Sequence, residues 1–186
     1  MKRGILGKFA MTAALVTGLA AAADRGNSQA PATGAALEKS VRHEILMYPK
    51  LTLWDDVRFR VSEGNVELVG AVNQPYKKRD LERIVQHVPG VKSVTNQVKV
   101  LPLSPFDDDL RIRVARAIYR DPVLSRYAMG SIPSIHVIVD NGKVTLTGLV
   151  NSDMEKQIAG IRASGAGLSL GPVINELHVE NPARKS

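Results

Sequence analysis

The sequence predicts an α+β protein built as two tandem repeats, each a small sheet of about three strands with two helices packed on one face. Three observations carry that prediction. Gly64-Asn65-Val66-Glu67-Leu68-Val69-Gly70 and Gly142-Lys143-Val144-Thr145-Leu146-Thr147-Gly148 share the pattern Gly-x-Val-x-Leu-x-Gly, 78 residues apart. An alternating apolar run precedes each copy: Val57, Phe59 and Val61 in the first, Ile135, Val137 and Val139 in the second. Each copy therefore closes a β-hairpin with one apolar face. Finally, each hairpin lies between two amphipathic helical patterns and is followed by a matching last strand, Val94–Val100 or Val173–Val179, with an asparagine at the same place.

Taken in order, the chain opens on Lys2, Arg3 and Lys8, then an apolar run from Phe9 to Ala22 that ends in alanines. That is the layout of a cleavable signal peptide over residues 1–23, with an apolar run shorter than the ~20 residues a membrane span needs. Its removal lowers the formal charge from +7 to +4, too mild for a dedicated nucleic-acid binder. Residues 24–35 are rich in Ala, Gly, Pro, Asn and Ser and read as a flexible leader. Cysteine is absent, which excludes disulfides, thiolate zinc sites, thiol catalysis and cysteine acylation.

The first domain is expected over residues 36–102. Leu37, Val41 and Ile45 form one buried stripe of a helix that ends near Pro49. The hairpin follows, with Arg58 and Arg60 on its outer face. Asn141-Gly142 marks the matching turn of the second hairpin, and the glycine closing each motif ends the strand or admits a close backbone. A second helix opens near Asn73 with Pro75 in its first turn, presents Leu81, Ile84, Val85 and Val88, and stops at Pro89-Gly90. Lys77, Lys78 and Arg79 crowd its first turns, where the helix dipole disfavours cations by about 0.3–1 kcal/mol each. One reading is a site for a phosphate-bearing partner such as a lipid headgroup; the other is three solvated charges offset by Asp80 and Glu82.

Pro102, Ser104 and Pro105 form a short linker to a second domain over residues 107–181, leaving a tail of residues 182–186. Asp107, Asp108 and Asp109 are placed to cap the next helix, whose core stripe is Leu110, Val114 and Ile118. Arg113, Arg116 and Arg120 share one face of it, with Tyr119 beside them. Guanidinium groups bind phosphate bidentately and tyrosine favours a membrane interface, so these four are the first candidates for anionic lipid contact. The alternative is an ordinary surface with Arg113 paired to Asp109. The stretch before the second hairpin is longer than in the first repeat and carries Tyr127, Met129 and Ile132, a loop that either docks on a partner or membrane or packs on its own domain. Ser152-Asp153-Met154-Glu155 reads as a capping box for the last helix. His136 and His178 fall opposite the apolar face; without a local ligand motif beside Glu176 or Glu180 they read as solvated positions rather than metal ligands.

The doubled glycine motif, together with Val88-Pro89-Gly90-Val91, Val94 and Asn96, and then Gly171-Pro172-Val173 and Asn175, resembles the tandem BON-domain proteins, a family of osmotically inducible periplasmic and envelope proteins. These residues are turn glycines and core positions, so they speak to fold directly and to function by association. The resemblance implies a non-enzymatic role in envelope integrity or osmotic stress, with the second domain associated with anionic phospholipid. No nucleophile elbow, phosphate loop or paired-carboxylate signature is present, and no cofactor, metal or small-molecule substrate is called for. The expected function is an exported, periplasmic protein binding an anionic phospholipid surface. The alternative is a protein-interaction module docking another envelope protein through Tyr127–Pro133.

Overall fold

The computed structural model describes residues 34–130, 132–167 and 169–180. The expected signal peptide, most of the leader and the C-terminal tail lie outside them. The first repeat runs α1 (Gly34–Leu46), β1 (Asp56–Ser62), β2 (Asn65–Val72), α2 (Pro75–Gln86), β3 (Ser93–Asn96) and β4 (Lys99–Val100). The second runs α3 (Pro105–Tyr119), a 3-10 turn (Ser125–Ala128), β5 (Ile135–Asp140), β6 (Lys143–Val150), α4 (Asp153–Ser164), β7 (Ile174–Asn175) and β8 (His178–Val179). The α+β tandem-repeat reading holds. At its start, Gly34 and Ala35, read as leader, already belong to α1.

Each sheet is mixed. β2 pairs antiparallel with β1 and parallel with β3 and β4; β6 does the same with β5, β7 and β8. The expected third strand is thus two short segments. The break follows from the shared asparagine. Asn96 accepts from the Val98 amide at 3.1 Å and donates to the Lys78 carbonyl on α2 at 2.8 Å. Asn175 accepts from the Leu177 amide at 3.3 Å and donates to the Lys156 carbonyl on α4 at 2.7 Å. One side chain therefore bends the strand and ties it to the helix above.

Both hairpins turn on two residues with positive φ, Glu63 at 51° and Gly64 at 88°, Asn141 at 51° and Gly142 at 76°. That is the turn whose twist matches the flanking strands. The closing glycines do not end the strands. A methyl group at Gly70 would collide with the Asp56 carbonyl, and one at Gly148 with the Ser134 carbonyl. Close backbone approach is what both positions require.

Each repeat has its own core. Leu37, Val41 and Ile45 of α1 meet Val66, Leu68 and Val72 of β2 and Leu81 and Val85 of α2. Leu110, Val114 and Ile118 of α3 meet Val137, Val139, Val144 and Leu146 beneath Ala159 and Ala163 of α4. The repeats are joined by the loop before β1: Leu53 and Trp54 pack on the second core, and the Val137 amide donates to the Leu53 carbonyl at 2.8 Å. Lys99 also reaches Asp140 across the junction at 2.5 Å.

Candidate functional site

The second-repeat basic face is built on α3. Ser104 caps this helix, accepting from the Asp107 amide at 3.3 Å, with Pro105 in the first turn. Asp107 was expected to cap the helix too. Instead its buried carboxylate accepts from the Asn141 and Gly142 amides at 2.9 and 2.8 Å, holding the hairpin turn. Asp108 pairs with Arg111, whose buried guanidinium also donates to the Val139 carbonyl at 2.7 Å.

With the apolar stripe turned inward, Arg113, Arg116 and Arg120 are left exposed on one side of α3. Arg113 pairs with Asp109 at 2.7 Å. Arg120 lines a groove of about 480 Å³ between α3 and α4, with Ala117, Asp121, Pro122, Ile161, Arg162 and Gly165. Arg162 donates to Asp121 at 2.7 Å. That bond, and then the Val123 amide, holds the Asp121 carboxyl below the usual carboxylate range. Exposed Ile112 and Ile161 stand among these cations. Tyr119 does not face outward with the arginines as expected. It is half-buried, and its hydroxyl donates to the Ile135 carbonyl, anchoring α3 to β5. Burial raises its pKa.

The first-repeat candidates separate. Lys77 is 2% exposed, so it is not part of a surface cluster. Its ammonium donates to Asp55 and to the Asn73 side chain, each at 2.6 Å. Asp55 also accepts from the Thr52 amide and hydroxyl, both at 2.8 Å, and from the Asn73 amide at 2.9 Å. A buried cation in the first turn of α2 is tolerated because a carboxylate stands against it. Lys78 is half-buried and Arg79 is exposed.

Sequence reasoning missed this network and its counterpart, although the repeat register marks them. Lys77 and Glu155 are 78 residues apart, at the same place in the two repeats. Glu155 is also buried, but its partners are reversed in kind. It pairs with Arg126, accepts from the Tyr127 hydroxyl at 2.8 Å, and accepts from the Asn151 amide at 3.0 Å. Only half of the expected capping box forms: Ser152 accepts from the Glu155 amide at 3.3 Å, while the Glu155 carboxylate turns inward.

The loop candidates separate in the same way. Tyr127 is buried and satisfied by Glu155. Met129 is 78% exposed. Ile132 lines a cleft of about 420 Å³ between the repeats, with Leu46, Leu51, Val57, His136 and Leu149. His136 is therefore not the solvated residue its alternation implied. Burial pulls its pKa below the ordinary 6.5, against the opposing pull of Asp56. Among the described residues no group of three or more His, Asp or Glu side chains is arranged to hold a metal, and no helix is long and apolar enough to cross a membrane.

The chain is similar to two solved structures from Chlamydia trachomatis. One is CdsD, described as a structural protein of the type III secretion system, at 18% identity, with 77% of this chain and 61% of that one covered and a TM-score of 0.31. The other is the C-terminal domain of CdsD, at 18% identity, 77% and 64% coverage, and a TM-score of 0.31. The chain thus spans less than two thirds of these structures. No curated protein matches it at the level of significance applied. The family model for the BON domain matches residues 33–102 and again 107–181. The chain belongs to the BON-domain family and carries two tandem copies of the domain.

Proposed function

We propose that this protein is a non-enzymatic, exported envelope protein that binds an anionic phospholipid surface through the exposed face of α3. The observation that carries the reading is the cluster Arg113, Arg116 and Arg120, turned outward on one helix with Arg162, Ile112 and Ile161 beside it. Guanidinium groups match phosphate geometry, and exposed aliphatic side chains among them suit the boundary between headgroup and acyl chain. BON-domain membership supports the same reading, since the module is associated with phospholipid and the cell envelope. Arg79, and Lys78 in part, offer a weaker second contact; Lys77 does not contribute. The family, together with the expected signal peptide, supports a role in envelope integrity under osmotic stress and a periplasmic address.

Flotation with phosphatidylglycerol vesicles tests the reading. Binding should fall as salt is added, because exposed charges separated by more than ~8 Å are screened at physiological ionic strength. Replacing Arg113, Arg116 and Arg120 together by serine should abolish it. A triple variant that floats like the parent would refute the site. The second reading, docking of another envelope protein through the Tyr127–Pro133 loop, rests on the exposed Met129. It would give partner binding that is insensitive to salt and lost in Met129→Ser.

A further inference from the structure

The two hairpin turns are held differently, although their backbones match. In the second repeat the buried Asp107 carboxylate sits inside the turn. One of its oxygens accepts from the Asn141 amide at 2.9 Å and the other from the Gly142 amide at 2.8 Å. The first turn presents the corresponding amides, those of Glu63 and Gly64, with the same positive φ at both residues. Its acid is replaced. Aligning Leu37, Val41 and Ile45 with Leu110, Val114 and Ile118 sets Gly34 where Asp107 stands. Among the described residues neither the Glu63 nor the Gly64 amide has an acceptor. Gly64 is buried, and buried backbone amides are almost always paired.

A second replacement at the same turn adds a cation. The Leu170 amide donates to the Gly142 carbonyl at 2.8 Å, and the leucine side chain lies over that glycine. At the matching place in the first repeat, the Lys92 amide donates to the Gly64 carbonyl at 2.8 Å, and the lysine stem lies over that glycine. The first turn therefore lacks the carboxylate of the second and carries an ammonium in place of an aliphatic group. Lys92 and Glu63 are both exposed, and neither forms an ion pair among the described residues. Gly34, Leu37, Glu63, Gly64, Val91 and Lys92 line a pocket of about 380 Å³ where these groups meet. A Cβ added at Gly34 meets nothing within 4 Å, so there is room for a carboxylate on this side of the turn.

We propose that the first hairpin turn is a binding site for a carboxylate supplied from outside this fold. The Glu63 and Gly64 amides each take one oxygen, as the Asn141 and Gly142 amides do for Asp107. Hydrogen bonds to an ionised acceptor are stronger than neutral ones, and two successive amides match the two oxygens of a carboxylate. Lys92 supplies positive charge at the rim, and Leu37 and Val91 receive the carbon chain that carries the group. The Glu63 side chain opposes an anion here, so Glu63→Gln should tighten binding. The carboxylate is that of an acidic side chain on another polypeptide or of a small carboxylic acid; the groups that recognise it are the same.

The probes are sodium acetate and a blocked tripeptide with a central aspartate; sodium chloride and the same tripeptide with asparagine are the controls. Followed by amide NMR on the purified protein, acetate and the aspartyl peptide should move the Glu63 and Gly64 amide protons downfield and saturably. The Asn141 and Gly142 amides should stay in place, and the asparaginyl peptide should do nothing. Lys92→Leu, which copies the second repeat, should weaken acetate by about two- to fivefold, the scale of an exposed charge pair. Gly34→Asp should supply the carboxylate internally: both amides shift downfield without any probe, and acetate no longer moves them. Tighter binding of the aspartyl peptide than of acetate assigns the ligand to an acidic side chain of another polypeptide; equal binding assigns it to a small carboxylic acid. The proposal is overturned if neither probe moves the two amides, or if chloride at matched ionic strength moves them as far. It is also overturned if folded Gly34→Asp, with an otherwise unchanged spectrum, still responds to acetate. Acetate binding that appears only in Asp24→Asn would likewise overturn it, by giving the site to the chain's own leader.

Discussion

Replacing Lys77 by methionine should destabilise the first repeat far more than any neighbouring basic residue. Lys77 and Asp55 are both about 2% exposed, and the ammonium sits 2.6 Å from the carboxylate. Methionine fills the space of the aliphatic stem but leaves a buried carboxylate without its cation, a change that costs about 3–5 kcal/mol. Asp55 keeps its bonds from Thr52 and Asn73, which places the expected loss near the lower end of that range. Lys78→Met and Arg79→Ser, with no buried partner, should each cost less than about 0.5 kcal/mol. Urea unfolding followed by circular dichroism reads the difference. A double-mutant cycle with Asp55→Ala should give a coupling of about 2 kcal/mol, as residues in one network do. A loss below about 1 kcal/mol, or additive single effects, would refute a buried pair. Folded Lys77→Met should also float with anionic vesicles as the parent does, because its ammonium does not reach the surface.

Gly70→Ala and Gly148→Ala should each destabilise strongly, since both glycines hold positive φ and abut the Asp56 or Ser134 carbonyl; thermal melts will show whether the fold survives. Glu63→Asn should stabilise by about 0.5–1 kcal/mol, because a glutamate at φ 51° bears a left-handed strain that asparagine tolerates. His136 titrates lower folded than unfolded, so it remains neutral while the unfolded chain takes up a proton. Stability should therefore be full above pH 6.5 and fall as pH drops below it, and His136→Gln should remove that slope. Asp121 is shifted down first by Arg162 and then by the Val123 amide, so its contribution is present above the ordinary carboxylate pKa of 3.8 and lost at lower pH; Arg162→Ser should reduce that loss in acid unfolding.

The hairpins, helices and cores were legible because they obey short-range rules. Two-residue periodicity gave β1, β2, β5 and β6, a four-residue stripe gave α1 and α3, and Pro75 marked the start of α2. The exposed arginines of α3 were legible for the same reason: once Leu110, Val114 and Ile118 face inward, Arg113, Arg116 and Arg120 cannot. What was hidden depends on partners distant in sequence. Nothing local distinguishes Lys77 from Lys78, and only Asp55, 22 residues upstream, makes one of them buried. Tyr119 reads as a surface aromatic, and Tyr127 as either a docking or a packed residue, until Ile135 and Glu155 supply a place for each hydroxyl. The 3-10 turn at Ser125–Ala128 carries no strong periodicity. The break in the last strand lies with Asn96 and Asn175, visible in the sequence but without meaning until their helix carbonyls are seen.

The opposite signs of Lys77 and Glu155 matter most before the chain has finished folding. Two homologous halves joined by a short linker are prone to exchanging parts during synthesis. If α4 settled on the first hairpin, Glu155 would arrive against Asp55, two acids with no counterion between them. If α2 settled on the second, Lys77 would meet Arg126. Each hairpin thus accepts its own helix and repels its sibling's, an internal lock and key that keeps the duplicated halves from being confused.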